Sequence, residues 1–262
     1  MRLCAIVPAF NAAATLGVLL ESLAALPYSV LVVDDGSSDA TSAIARGFSD
    51  RGVVLIRHDA NQGKGAALRT GFKWAVEQGF DAAVTMDSDL QHSPADLPGL
   101  IEVFEREGLD VLVGSRVHDQ GDMPRSRRFG NWFSSWIATR FCHQVIPDSQ
   151  CGYRLFRVAR CRRMFEQLRL ARFDGESEVF VRASLNLLRI GFAPITVIYP
   201  TDASHRSYYR PWEDTTRIVY MYVKELLRRT FTVKGRRELR ELKRYVQGRR
   251  DRPGYRLLPR AR

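Results

Sequence analysis

Two aspartates stand two residues apart in Met86-Asp87-Ser88-Asp89-Leu90-Gln91-His92, at the end of an apolar run that begins at Ala82. In an extended chain residues i and i+2 point the same way, so both carboxylates can face one hard cation. Gln91 or water would complete an oxygen shell suited to Mg2+ or Mn2+. Such a cation would neutralise a diphosphate. A solvated turn has the same letters, so the company the motif keeps decides its meaning. Val33-Asp34-Asp35-Gly36-Ser37-Ser38-Asp39 again sets acids at the end of an apolar run, with a glycine for a sharp turn and Ser38 or Asp39 to start a helix. One of these aspartates could accept from a base or a ribose hydroxyl. Pro8-Ala9-Phe10-Asn11 offers a rigid proline and an aromatic ring to flank a planar base.

Asn61-Gln62-Gly63-Lys64-Gly65-Ala66-Ala67-Leu68 is neither a P-loop nor a complete GxGxxG. It reads as a glycine-rich helix start whose amides and positive end suit an anion, with Lys64 near the ligand. Arg116, closing a further apolar run, reads as an anion contact. The five histidines show no ligand pairing, so His92 is expected beside the acidic motif as a supporting neighbour and not as a base.

The elements that must hold these residues follow from periodicity. Apolar runs at Leu3–Val7, Val30–Val33, Val53–Ile56 and Ala82–Met86 are followed by helical patterns over 12–25, 38–50 and 64–79. Runs apolar throughout are buried on both faces, which predicts an α/β fold: a doubly wound, mostly parallel sheet with helices on both faces. Ligands of such sheets bind outside the carboxyl ends of the strands, which directs attention to the loops after Val7, Val33 and Met86. Beyond Arg116 the alternation breaks. A polar loop, a Trp- and Phe-rich helix, a loop around Asp148, a helix over Asp174–Leu188 and a last strand over Ile195–Tyr199 are expected. After Pro211 comes an amphipathic helix with Trp212, Val219, Tyr222, Val223 and Leu226 on one face and Arg217, Lys224 and Arg228 opposite.

The 262 residues, 45% of them hydrophobic, support a sizeable core and exclude a disulfide scaffold or a disordered chain. Net charge is +11, and residues 224–262 account for all of it, with 15 basic and 4 acidic residues. The basicity therefore describes what the end of the chain touches. An anionic membrane surface ranks above nucleic acid there, because no signature of sequence readout is present. Four cysteines without a CxxC pair suit a reduced compartment, and no apolar stretch reaches the length of a membrane span. The expectation is a cytoplasmic protein, soluble or peripheral on the cytosolic membrane face.

Six motifs, VPAFN, VDDGSSD, NQGKGAAL, MDSDLQH, GSR and DSQCGYRLFR, occur in this order over residues 7–157. Together they resemble family-2 glycosyltransferases of the GT-A fold, and within them the polyprenyl or dolichyl phosphate sugar synthases. The resemblance implies inverting transfer of a hexose from a GDP- or UDP-sugar to a polyprenyl phosphate. It implies that Pro8, Phe10, Asp34 and Asp35 hold the nucleoside, with Lys64, Asp87 and Ser88 also on the donor. Asp87, Asp89 and Gln91 would hold Mg2+ or Mn2+, and Arg116 and Arg127 would meet the acceptor phosphate. Departures exist: Ala12 stands where the family often has Glu, and the late basic motif is replaced by Ser204-His205-Arg206-Ser207-Tyr208-Tyr209-Arg210, so Arg206 and Arg210 are candidates for phosphate binding.

A phosphate acceptor is already an anion and needs no base. A hydroxyl acceptor on a lipid or glycan would need one, and Asp148 and Glu178 are the candidates, against plainer roles as a loop cap and an ion pair with Arg182. A sugar nucleotidyltransferase and an inactive binding protein are the alternatives of other classes. The expected organisation is a catalytic domain over 1–210, helices over 211–247 and a flexible basic tail over 248–262.

Overall fold

The computed structural model describes residues 1–116, 125–168, 174–198 and 211–248. The chain runs β1 (Leu3–Ala9), α1 (Ala13–Ala24), β2 (Ser29–Asp34), α2 (Thr41–Arg46), β3 (Val53–Arg57), α3 (Lys64–Glu77), β4 (Ala82–Thr85), α4 (Leu97–Arg106) and β5 (Val111–Ser115). It continues with α5 (Arg125–Cys142), β6 (Arg154–Arg157), α6 (Val158–Gln167), α7 (Asp174–Leu185), β7 (Ile190–Pro194), α8 (Pro211–Phe231) and α9 (Val233–Gln247). Among the described residues one sheet has the order β3-β2-β1-β4-β6-β5-β7. Every pairing in it is parallel except those of β6, which runs antiparallel to both β4 and β5. β1 and β4 are buried along their whole length, as runs without a polar face require.

The strand order reverses between β1 and β4. Successive right-handed crossovers send β2 and β3 to one side of β1, and the next strand lands on the other side. The residues after Ala9 and after Thr85 therefore open onto the same crevice at the carboxyl edge of the sheet, where doubly wound folds bind ligands. α1 packs on α2, whereas α3 packs on β1, β2 and α6.

Three expectations need correction. The last strand among the described residues is Ile190–Pro194, not Ile195–Tyr199, of which Tyr199 lies outside them: Ile190, Phe192 and Ala193 are buried against β5, and past Pro194 the described residues make one isolated bridge, Val197 to His92. The helix expected over 38–50 is shorter, Thr41–Arg46, and a turn of 3-10 helix follows at Ser49–Arg51. On α8 the face that meets the body carries Ile218, Tyr222, Glu225 and Arg229, while Val223 and Leu226, expected to share one apolar face with Tyr222, stand exposed. The polar pair can be buried because its charges are matched: Arg229 donates to the Glu225 carboxylate (2.9 Å) and to the Phe141 carbonyl (2.8 Å), and among the described residues its Nη2 has no hydrogen-bond partner. No helix among the described residues is long and apolar enough to cross a membrane.

Candidate active site

The crevice is built from four turns. β1 hands over to Phe10 and Asn11, and Asn11 knits this turn to the one after β2. Its amide donates to the Ser37 hydroxyl (2.9 Å), and its side-chain oxygen accepts from the Ser38 amide (2.9 Å). Asp34 and Asp35 are both buried. Asp34 accepts from the Ser37 amide (2.8 Å) and the Ser42 hydroxyl, with Arg57 at 4.0 Å. Burial pushes its carboxyl up, but the serine hydrogen bonds and the Arg57 charge more than offset this and hold it below the usual carboxylate range. Gly36, directly after Asp35, has φ +75°, and a side chain there would collide with the backbone of Ala60.

Asp35 ties the third turn. One of its oxygens accepts from the Gln62 amide (3.0 Å) and meets His58 Nδ1 (2.7 Å), and the other accepts from the Gly63 amide (2.7 Å). His58 Nε2 in turn meets the Thr70 hydroxyl (2.9 Å). Asp34 and Asp35 thus spend their oxygens on the protein, shaping the turns before α2 and α3. Pro8 is buried in β1, and Phe10 is half-buried at the crevice.

Lys64 opens α3, and its ammonium bridges two carboxylates: Asp87 at 2.6 Å and Glu176, from α7, at 2.5 Å. The other Glu176 oxygen meets Arg154 of β6 at 2.6 Å. Burial alone would raise Asp87, yet Lys64 first and then His92 and Arg154 hold its carboxyl below the ordinary range. Lys64 shows the mirror effect: burial would lower it, and the two carboxylates raise it. Gly152 lets this loop lie against Asp87, since a side chain there would strike the carboxylate.

The parity argument for the paired acids does not hold. β4 ends at Thr85, and Ser88 and Asp89 lie in a turn completed by Leu90 at φ +61°, so a turn and not a strand pleat carries the second carboxylate. Asp89 accepts from the Gln91 amide (3.1 Å), and the Gln91 carbonyl accepts from the Ile198 amide (3.0 Å). His92 is buried with its Nε2 3.7 Å from Cys151 Sγ, and burial pushes its imidazole down. Among the described residues no cluster of three His, Cys, Asp or Glu side chains could hold a metal ion. A cation such as Mg2+ is commonly held by only one or two carboxylates, with phosphate and water as its remaining ligands, so the lack of such a cluster does not count against one here. That an ammonium already sits on Asp87 marks the position as one that draws positive charge.

Arg116 follows β5 and grips Asp148 from three donors, its amide (3.2 Å), Nε (2.7 Å) and Nη2 (2.9 Å). Asp148 is fully buried and also accepts from the Gln150 amide (3.2 Å). Burial would raise its carboxyl, and the Arg116 charge outweighs this and holds it below the usual range. Glu178 is buried, and one of its oxygens accepts from both Nε (3.0 Å) and Nη2 (2.8 Å) of Arg182. Successive residues of a helix turn by about 100°, so Glu176 and Glu178 face nearly opposite ways, and it is Glu176 that reaches the crevice. Sequence reasoning missed Glu176, Arg154 and His58. An acid two residues from a motif acid, on a helix, was the available signal for the first. The side chain of Arg127, at the start of α5, lies outside the described residues, as do Arg206 and Arg210.

Asp148 carries a pH signature. Its carboxyl is lower in the folded chain than the unfolded value of about 3.9. The pair therefore stabilises the fold fully above that value and loses this contribution as pH falls through the folded one. Asp148→Asn is expected to cost about 3–5 kcal/mol at pH 7, because it leaves a mostly buried arginine without its counter-charge. In urea unfolding the gap to the parent should shrink progressively below about pH 4. A gap that stays constant down to pH 2.5 would mean the charge is not what matters.

The family model described as "Glycosyl transferase family 2" matches residues 4–165. The chain is 33% identical over 212 residues to the UDP-N-acetylglucosamine--dolichyl-phosphate N-acetylglucosaminyltransferase of Methanococcus voltae, covering 74% of this chain and 84% of that one. It is 36% identical over 165 residues to the undecaprenyl-phosphate mannosyltransferase of Micrococcus luteus, covering 60% and 67%. Among solved structures, glucosyl-3-phosphoglycerate synthase from Mycobacterium tuberculosis with UDP superposes with a TM-score of 0.64 at 18% identity, covering 85% of this chain and 79% of that one. At that identity the likeness is one of fold. With the crevice, its acidic turn and the matched family all in the same part of the chain, the protein belongs to glycosyl transferase family 2 and is a glycosyltransferase of the GT-A fold.

Proposed function

We propose that the protein transfers a hexose, with inversion, from a nucleoside diphosphate sugar to a polyprenyl phosphate. The observation that carries the choice of acceptor is the state of the two candidate bases. Asp148 is locked to Arg116 by both oxygens, and Glu178 is held by Arg182. A hydroxyl acceptor needs a carboxylate able to take its proton, whereas a phosphate monoester arrives as an anion and needs only positive charge. In this reading Asp148 is a positioning residue that aims Arg116 at the acceptor phosphate, with Arg127, Arg206 and Arg210 as its further contacts.

On the donor side, Pro8 and Phe10 flank the base, and Asp34 and Asp35 act through the turns they fix. Lys64 and Ser88 meet the diphosphate. Asp87 and Asp89, with Gln91 beside them, would hold Mg2+ or Mn2+, which supplies charge neutralisation to the diphosphate when bound. The acceptor oxygen attacks the anomeric carbon as its bond to the diphosphate breaks. Donors fixed beforehand where the leaving charge develops are commonly the largest catalytic contribution.

The test is incubation with UDP- and GDP-sugars and either polyprenyl phosphate or polyprenol, with products identified by mass. Product from the phosphate alone supports the reading. Product from the alcohol alone moves the protein to the hydroxyl-acceptor class, and release of inorganic diphosphate from a nucleoside triphosphate plus a sugar phosphate moves it to the nucleotidyltransferases.

The acceptor implies a membrane surface, and α8 supplies a suitable face. Tyr220, Val223, Leu227 and Phe231 are 66%, 47%, 51% and 73% exposed on the side away from the body. α9 adds exposed Lys234, Arg236, Arg237, Arg240, Lys243 and Arg244. Apolar side chains rimmed by bases suit an anionic headgroup layer, each base near the surface adding about 1 kcal/mol. The Val223→Asp, Leu227→Asp variant is expected to lose at least about tenfold in partition onto phosphatidylglycerol vesicles, roughly the effect of removing two apolar contacts. Unchanged co-sedimentation would remove α8 from the contact.

A further inference from the structure

We infer that Lys64 is a displaceable counter-ion that makes cation binding conditional on the diphosphate. The inference rests on the donor site proposed above and adds a coupling to it. Four charged groups meet in the crevice: Asp87, Glu176, Lys64 and Arg154, two negative and two positive. These four balance among themselves, and Asp89, the second proposed ligand, adds one negative charge beside them.

The two cations differ in their freedom. Arg154 is fixed: its guanidinium is buried, and besides the Glu176 carboxylate it donates to the carbonyls of Cys151 (2.7 Å), Glu176 (3.1 Å) and Ser149 (3.1 Å). Lys64 is not. It sits on the first turn of α3, with about a quarter of its side chain exposed, and its ammonium hangs on a flexible four-carbon stem. Its partners are unequal too, because Asp87 is as exposed as Lys64 whereas Glu176 is nearly buried.

A divalent cation arriving alone would meet an ammonium on Asp87 and turn one surplus negative charge into one surplus positive charge in a largely enclosed site. Arriving with a diphosphate, it restores near neutrality. The ammonium can then leave Asp87 for a phosphate oxygen while Glu176 keeps hold of it. Lys64 therefore suppresses loading by the metal alone and favours loading of metal and diphosphate as a pair. Glu176 is the positioning residue that keeps the ammonium within reach in both states.

The test is a titration of the full-length protein with Mn2+, in which the unbound ion is read by electron paramagnetic resonance, with and without UDP or GDP. In the parent protein one of these nucleotides should tighten Mn2+ binding by about tenfold or more, within the usual range of coupling between sites. Lys64→Met should bind Mn2+ alone about tenfold more tightly, and the gain from nucleotide should shrink. Glu176→Gln, which leaves the ammonium to Asp87 and removes a negative charge, should shift Mn2+ affinity the other way. Opposite shifts in two variants are not produced by a general loss of structure, and circular dichroism of both checks that they fold. Should Lys64→Met fail to fold, the Glu176→Gln shift decides alone. If Mn2+ binds every variant equally with the same gain from nucleotide, the counter-ion role is overturned and the transferase reading stands. If neither parent nor variant takes up Mn2+ with either nucleotide, both fall.

Discussion

Replacing Asp87 by asparagine is expected to lower the rate of sugar transfer by about 100- to 1000-fold, comparable with removing one preorganised stabilising group from a transition state. The substitution keeps the shape that packs against Gly152, so the loop has no steric reason to move. What disappears is the carboxylate charge on which the crevice's positive groups converge. Since the departing diphosphate carries more negative charge in the transition state than in the bound donor, the loss should fall mainly on kcat, with a smaller change in donor KM. The measurement is steady-state transfer at saturating acceptor, with thermal unfolding of the variant as a control. A variant within tenfold of the parent would detach the acidic turn from the chemistry.

The legible part of the fold is the part in which each strand is buried on both faces by its own helices. Leu3–Ala9 and Val30–Val33 are apolar without interruption, and their neighbours in space are also near in sequence. β6 was not legible because Arg154-Leu155-Phe156-Arg157 begins and ends on arginine. Contacts made in the fold, with Glu176 22 residues further on, with the Phe180 ring and with the carbonyls of Ser149 and Cys151, make Arg154 a core residue. The site divides in the same way. The types and spacing of Asp87, Asp89 and Lys64 pointed to one crevice, and the strand order places β1 and β4 side by side there. Which acid meets which base was not written in spacing: Asp148 is 32 positions from Arg116, and Glu176 is far along the chain from Lys64. Pleat parity misdescribed Asp89 because a backbone turn at Ser88–Leu90 intervenes. The stripe on α8 was recognised as apolar, but the helix turns a different, salt-bridged face to the body.

Arg154→Met is expected to cost about 3–5 kcal/mol of stability, the range for removing one partner of a buried ion pair. Arg154 is 2% exposed and lies over the Phe180 ring at 4.9 Å, so its stem packs as an apolar side chain, and methionine replaces that part. The three carbonyls it serves and one Glu176 oxygen lose their donor in a place water reaches poorly. Adding Glu176→Gln should recover part of the loss, because it removes a carboxylate left with Lys64 as its one counter-charge while leaving the carbonyls unserved. The two substitutions are therefore non-additive, by about 0.5–3 kcal/mol, as neighbours in one network are. Urea unfolding of the parent, both single variants and the double variant gives the coupling directly. A single-variant loss below about 1 kcal/mol would show that the crevice does not need its buried arginine for charge balance, and strict additivity would show that Arg154 serves the carbonyls and not Glu176.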